Sequence, residues 1–182
     1  MLKDKKRICV FCGSSLGNDK LIQKEVIKLA KIISENNLEL VYGGAKIGLM
    51  GLIAKEVQRH GGKVIGIIPK FLNKKEIINK NLSELHLVDS MHERKQKMYD
   101  ISDFFIALPG GIGTLEELFE IITWKQLKLK KAPVGILNIS NYYEKIIEHI
   151  HLMGENNFLH KNFIDEIIVS NNSEDLINSI IN

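Results

Sequence analysis

FFIALPGGIGTLEEL, Phe104 to Leu118, contains the transition on which the fold turns. Phe104 to Leu108 is an unbroken apolar run with strand character, and Pro109 ends it. Three glycines, Gly110, Gly111 and Gly113, fall within four positions. Thr114-Leu-Glu-Glu117 then opens an amphipathic helical pattern, expected over 115–128. Glycine loses much backbone entropy on folding, so a loop this rich in it implies a need for bare backbone. The unit is a buried strand, a glycine loop and a helix.

The same unit recurs in both directions. Ile8–Cys12, Leu38–Tyr42, Val64–Ile68 and Val134–Leu137 are further apolar runs that read as strands. Between them lie helical patterns over 19–35, 49–60, 91–101 and 141–152. Near-continuous apolar strands alternating with helices predict a parallel sheet covered on both faces. The expected fold is a doubly wound, Rossmann-like α/β domain spanning 1–182, with one or two short helices in the tail from 161. In such sheets ligands bind beyond the carboxyl ends of the strands. Three glycine clusters fall there: Gly13-Ser14-Ser15, Gly43-Gly44, and Gly110-Gly111-Ile112-Gly113-Thr114. Together they predict a rim of backbone N–H groups and helix N-termini suited to a phosphate or nucleotide. Any one of them alone reads as a tight turn.

Two named phosphate motifs fail. Gly43 to Gly48 has P-loop spacing, but Leu49-Met50 stands where Lys and Ser/Thr belong. Gly111-x-Gly113 starts a dinucleotide fingerprint, and Glu116 occupies its third glycine position. Composition sets further limits. A net charge of +3 over 182 residues argues against nucleic acid as the main partner. The short basic start lacks the apolar stretch of a signal peptide, and no run reaches membrane-span length. The expectation is a soluble cytoplasmic protein with no membrane partner. Cys9 and Cys12 form C-x-x-C within a strand, where they face opposite ways and read as core thiols. His149 and His151 fall about 200° apart on a helix, too far round to share a metal.

Two side chains ask for a partner. On the helix from Met91, at about 100° per residue, Arg94 falls inside the apolar stripe of Met91, Met98 and Ile101. Lys95 borders that stripe. An inward guanidinium needs an anion, which a bound phosphate or carboxylate would supply; a structural carboxylate is the alternative. Glu117 has two readings of equal weight. Thr114-x-x-Glu117 matches a capping box, which makes Glu117 structural. The same placement puts a carboxylate in the first helical turn, aimed at whatever the glycine loop holds. This helix is also apolar on two sides. Leu115, Leu118, Phe119 and Ile122 make one face, and Ile121 with Trp124 make another near Glu117, expected to pack on a second subunit.

Pro109-Gly-Gly-Ile-Gly-Thr-Leu-Glu-Glu117 matches P-G-G-x-G-T-x-x-E and resembles the signature of the LONELY GUY family of cytokinin riboside monophosphate phosphoribohydrolases. Cys12-Gly-Ser-Ser15, Val41-Tyr-Gly-Gly44, Gly48-Leu-Met-Gly51, Gly66-Ile-Ile-Pro69 and Met91-His-Glu-Arg-Lys95 resemble further family blocks, in order. Ala45 departs from the pattern where relatives commonly carry a third glycine. The resemblance implies hydrolysis of the N-glycosidic bond of a nucleoside 5′-monophosphate, giving free base and ribose 5-phosphate. It implies that Arg94 and Glu117 are the catalytic pair. It also implies substrate contacts from Lys95, Gly111, Ile112, Gly113, Thr114, Leu115, Glu116, Thr123 and, on a looser match, Glu76. Gly13, Ser14, Gly43, Gly44 and Gly110 join them from the glycine rim. A homodimer at least, and no metal or organic cofactor, are further implications. The competing expectation is a non-catalytic nucleotide or pterin carrier, because molybdenum-cofactor carriers resemble the same fold and loop. A decarboxylase would need a pyridoxal-phosphate lysine, and no lysine in the sequence is singled out for that.

Overall fold

Alternate residues of the first apolar run face opposite ways, and two separate cores result. Ile8, Val10 and Cys12 enter one hydrophobic cluster, and Cys9 and Phe11 enter the other. A computed structural model describes residues 5–75 and 77–181. The strands are β1 (Arg7–Phe11), β2 (Glu39–Tyr42), β3 (Val64–Pro69), β4 (Glu84–Val88), β5 (Phe104–Ala107), β6 (Val134–Leu137) and β7 (Ile167–Ser170). The helices are α1 (Lys20–Glu35), α2 (Gly48–Arg59), α3 (Met91–Asp100), α4 (Ile112–Gln126), α5 (Glu144–Glu155), α6 (Lys161–Ile164) and α7 (Ser173–Ile181).

All seven strands form one parallel sheet in the order β4-β3-β2-β1-β5-β6-β7. Helices α1, α2 and α7 pack on the cluster holding Ile8 and Val10, with Val26, Ile53 and Ile177 buried there. Helices α3, α4 and α5 pack on the opposite face through Met98, Leu118 and Ile150. The strand order reverses between β1 and β5, which are themselves parallel: β1 leads into a helix on one face, and β5 leads into a helix on the other. That switch point is where a doubly wound sheet opens a crevice.

The doubly wound expectation holds, with two strands added. The two added strands lie at the edges and differ from the central five in different ways. β4 alternates Glu84 and His86 with the exposed Leu85 and Leu87, the pattern of a strand wet on one side, which gives no continuous apolar run. β7 is apolar over Ile167-Ile168-Val169, with Val169 exposed, but its run is only three residues long before Ser170. The tail therefore holds a strand as well as helices. Among the described residues no helix is long and apolar enough to cross a membrane.

Candidate active site

The start of α4 decides how Glu117 is read. The helix begins at Ile112, with Gly111 as its N-cap and no side-chain cap. The N–H groups of Thr114 and Leu115 both donate to Gly111 O, at 3.0 and 3.2 Å. Thr114 is thus inside the first turn and caps nothing, which overturns the capping-box reading. Glu117 is the sixth residue of the helix, and its carboxylate faces Arg94. The three-residue shift, from a cap at Thr114 to one at Gly111, comes from the Pro109-Gly110-Gly111 turn. A Cβ on Gly110 would lie 2.2 Å from Thr114 Oγ1, so the bare backbone lets the helix begin this close to the strand end. A variant of that cap sits instead on α3, where Ser90 Oγ accepts from Glu93 N and Glu93 accepts from the N–H of Asp89, the residue before the cap.

Three glycine loops lie on the rim, but they do not contribute equally. The start of α1 is capped by Asp19, which accepts from Leu21 N at 2.8 Å. The start of α2 is closed by backbone: Leu49 N and Met50 N donate to Gly13 O at 3.1 and 3.4 Å. Of these three helix starts, α4 leaves two successive first-turn donors, Ile112 N–H and Gly113 N–H, without an acceptor among the described residues, and both residues line the cleft beneath. The predicted rim of helix N-termini is therefore most open at α4.

Below it lies a cleft of about 300 Å³, floored by Val10, Phe11 and Cys12 and walled by Gly13, Ser14, Gly43, Met50, Met91, Met98 and the 111–114 turn. Arg94, Glu116 and Glu117 reach into it. Arg94 Nη1 lies 3.4 Å from Glu117 Oε1, and both side chains are about nine-tenths buried (12% and 10% exposed). Arg94 Nε donates to Ile67 O at 3.2 Å, tying the guanidinium to β3. Burial raises the Glu117 pKa above the ordinary carboxylate range; Arg94 opposes this, while the charges of Glu116 and Glu120 add to it. Burial and then the Glu117 charge push the thiols of Cys9 and Cys12 up as well. Both are free and face different cores, as the strand reading expected. Among the described residues no group of three or more His, Cys, Asp or Glu could hold a metal.

An open helix N-terminus beside a buried guanidinium is suited to an anion such as a phosphate, and the comparisons identify the family. An Arabidopsis thaliana cytokinin riboside 5′-monophosphate phosphoribohydrolase is 45% identical over 175 residues, covering 96% of this chain and 82% of the relative. A second from the same plant is 42% identical, with 96% and 81% covered. A family model described as "Possible lysine decarboxylase" matches residues 50–180. The chain belongs to the LONELY GUY family. Among solved structures it is similar to the molybdenum cofactor binding protein of Rippkaea orientalis, with a TM-score of 0.72 at 21% identity over 99% of both chains. The molybdenum cofactor carrier protein of Chlamydomonas reinhardtii aligns at 0.69 and 18%, covering 97% and 96%. At such identities the likeness is one of fold.

The remaining residues singled out by the LONELY GUY resemblance divide between the cleft and other places. Gly13, Ser14, Gly43, Gly111, Ile112, Gly113, Thr114 and Glu116 line the cleft with the pair. Gly44 lies behind it, left-handed at φ 76° and packed on Ile68. Ala45 has no left-handed φ, so an alanine there brings no strain. Gly110 sits under the turn, and Leu115 packs on the α4 side of the core. Lys95 points into the seam between α3 and α4, bonded to Glu116 and, at 3.0 Å, to Glu120. Thr123 is exposed, its hydroxyl bonded to Phe119 O. It lies eleven residues beyond Ile112, about 16 Å along the helix, too far to touch a ligand at that terminus. Glu76 lies outside the described residues.

The two-sided α4 is also reassigned. Ile121 is buried in this chain's own core, and Trp124 packs edge-on against Tyr99 with ring centroids 4.3 Å apart. Of the expected subunit face, Ile121 is thus internal, and Trp124 is half-buried against Tyr99. The outward side carries Ile112, 82% exposed, and Leu127, with Leu115 and Phe119 half-buried between them. The decarboxylase chemistry in the family model's description does not fit the residues. A Schiff-base lysine needs a lowered pKa. Burial works to lower that of Lys95, but its hydrogen bonds to Glu116 and Glu120 outweigh this and raise it. No lysine lines the cleft among the described residues.

Proposed function

We propose that the chain hydrolyses the N-glycosidic bond of a nucleoside 5′-monophosphate, with an adenine or N6-substituted adenine base. One observation carries the reading: the buried Arg94–Glu117 pair and the open start of α4 share one cleft. The free N–H groups of Ile112 and Gly113, at the positive end of the helix dipole, suit the 5′-phosphate. Glu117 lies five residues on, about 7.5 Å along the axis, which is the scale of a ribose and its 5′ linkage. Breaking the C1′–N bond builds positive charge on the ribose ring, as in glycoside hydrolysis. The Glu117 carboxylate is placed to stabilise that charge and to orient or deprotonate the attacking water. Water oxygen then bonds to C1′, and the base leaves with its nitrogen protonated. We assign Arg94, tied to β3 through Ile67 O, to the ribose and base end, beside Glu117.

We read 1–182 as one domain of a cytoplasmic homodimer. The exposed outer face of α4 supports the dimer. A two-fold contact there would cover Ile112, Leu115, Phe119 and Leu127, and would carry Thr123 toward the partner's cleft. Light scattering at micromolar concentration should give twice the 20.7 kDa chain mass; the mass of one chain would remove that reading. The activity test follows free base and ribose 5-phosphate released from AMP and from isopentenyladenosine monophosphate, with Glu117→Gln alongside. Release by the wild type and not by the folded variant is the expected result. Tight nucleotide binding with no release from either substrate would make the protein a carrier.

A further inference from the structure

Gly43 ends β2's approach to the cleft, and its backbone is not left-handed. Conformation therefore does not require glycine there, but space does. A Cβ on Gly43 would lie 2.1 Å from Arg94 Nη2, 3.3 Å from Arg94 Cζ and 3.1 Å from Met50 Sδ. No non-bonded pair of heavy atoms tolerates the first of these distances. The guanidinium thus lies against bare Cα, with Ile67 O accepting from Nε and Glu117 beside Nη1. These three fixtures come from β2's end, β3 and α4, and each restrains a different nitrogen. Neither Ile67 O nor Glu117 could hold the plane where it is if the Gly43 side were filled.

We infer that Gly43 is a positioning residue: it forms the niche that fixes the Arg94 guanidinium against Glu117, and it does not bind substrate itself. The inference rests on the activity proposed above, and its test separates the two. With any side chain at 43, Arg94 must swing out, because the clashing guanidinium is the free end of a flexible side chain while the Gly43 backbone directly follows β2. Losing its orientation at the ribose and base end should lower kcat far more than it raises KM, since binding at the α4 turn is untouched.

The experiment compares wild type, Gly43→Ala, Arg94→Ala and the double variant. Gly43→Ala should lower kcat about 100-fold with KM within about threefold. Adding it to Arg94→Ala should lower kcat no further, because its effect passes through the arginine. Guanidinium ion should restore part of the activity of Arg94→Ala and none to the double variant, whose niche is filled. An activity-independent readout is the Arg94 Nε–H resonance in a ¹⁵N spectrum, dispersed by its bond to Ile67 O in the wild type and lost in Gly43→Ala. Near wild-type kcat in Gly43→Ala, additive losses in the double variant, or an unmoved Nε–H resonance would each overturn the niche. If the wild type releases no base but the resonance still disappears in Gly43→Ala, the niche stands and the proposed reaction falls.

Discussion

Helices α2 and α4 both start just after a strand and a glycine-rich loop, yet they put their free N–H groups to opposite uses. At α2, Gly48 sits at φ 58° with its Cα pressed on Ser14, and the next donors are closed by Gly13 O and Ser15 O. At α4, Gly111 and Gly113 have nothing within 4 Å of where a Cβ would stand, and the donors face open cleft. One loop uses its glycines to bring backbone onto backbone; the other keeps space clear for something absent from the chain. Glycine content alone does not mark an anion site. The distinguishing property is whether the neighbouring carbonyls have already taken the helix start.

The comparison can be broken in four ways. The largest effect belongs to Glu117→Gln, which should lower kcat/KM by about 10³-fold in the base-release assay while the thermal transition stays cooperative. Gly48→Ala should act on stability. A Cβ there would stand 2.2 Å from Ser14 C in a left-handed backbone. The expected cost is about 2–4 kcal/mol, read as a lower denaturant midpoint at unchanged slope. Gly113→Ala should do the reverse. It meets nothing in the free protein and gains up to about 1 kcal/mol of helix propensity, but its methyl intrudes on the phosphate position. KM should rise about tenfold with stability equal or higher. Equal behaviour of the two glycine variants would erase the distinction between the two loops.

The smallest effect is pH dependence. Burial raises the Glu117 pKa, so the folded protein holds that proton to higher pH than the unfolded chain does. Stability associated with the neutral form is complete below the ordinary value of about 4.3 and is lost as pH rises through the folded value. Wild type should therefore lose stability relative to Glu117→Gln across that window, measured by parallel denaturant titrations. The acid limb of kcat/KM should also lie above the usual carboxylate range.

How legible all this is from sequence depends on where each residue finds its partners. The five central strands are readable because both of their faces are buried, which leaves continuous apolar runs such as Phe104–Leu108. β4 escapes because Glu84 and His86 interrupt its apolar residues, and β7 because Ile167-Ile168-Val169 is only three residues long before Ser170. Arg94 is readable as a charge inside an apolar stripe. Glu117 is not, since Thr114-x-x-Glu117 fits a capping box until the helix is seen to start at Ile112. The closure of α2 is unreadable for a stronger reason: its acceptors lie more than thirty residues away, and no local pattern records them. Lys95 and Thr123 follow from motif matching alone, and their side chains in this chain serve the α3–α4 seam and the outer face of α4.

The pairing of β1 with β5 has a consequence for synthesis. Ile8 lies beside Phe104, 96 residues later. A ribosome adding about 5–20 residues per second needs roughly 5–20 s to cover that separation. Throughout that interval one edge of the central strand, with Cys9 and Val10 on it, has no neighbour. The cleft is bounded by β1, β2, α3 and α4, so it closes only after α4 has emerged as well. A nascent chain of this protein is thus a poor ligand trap and a good chaperone client until two-thirds of it has been made.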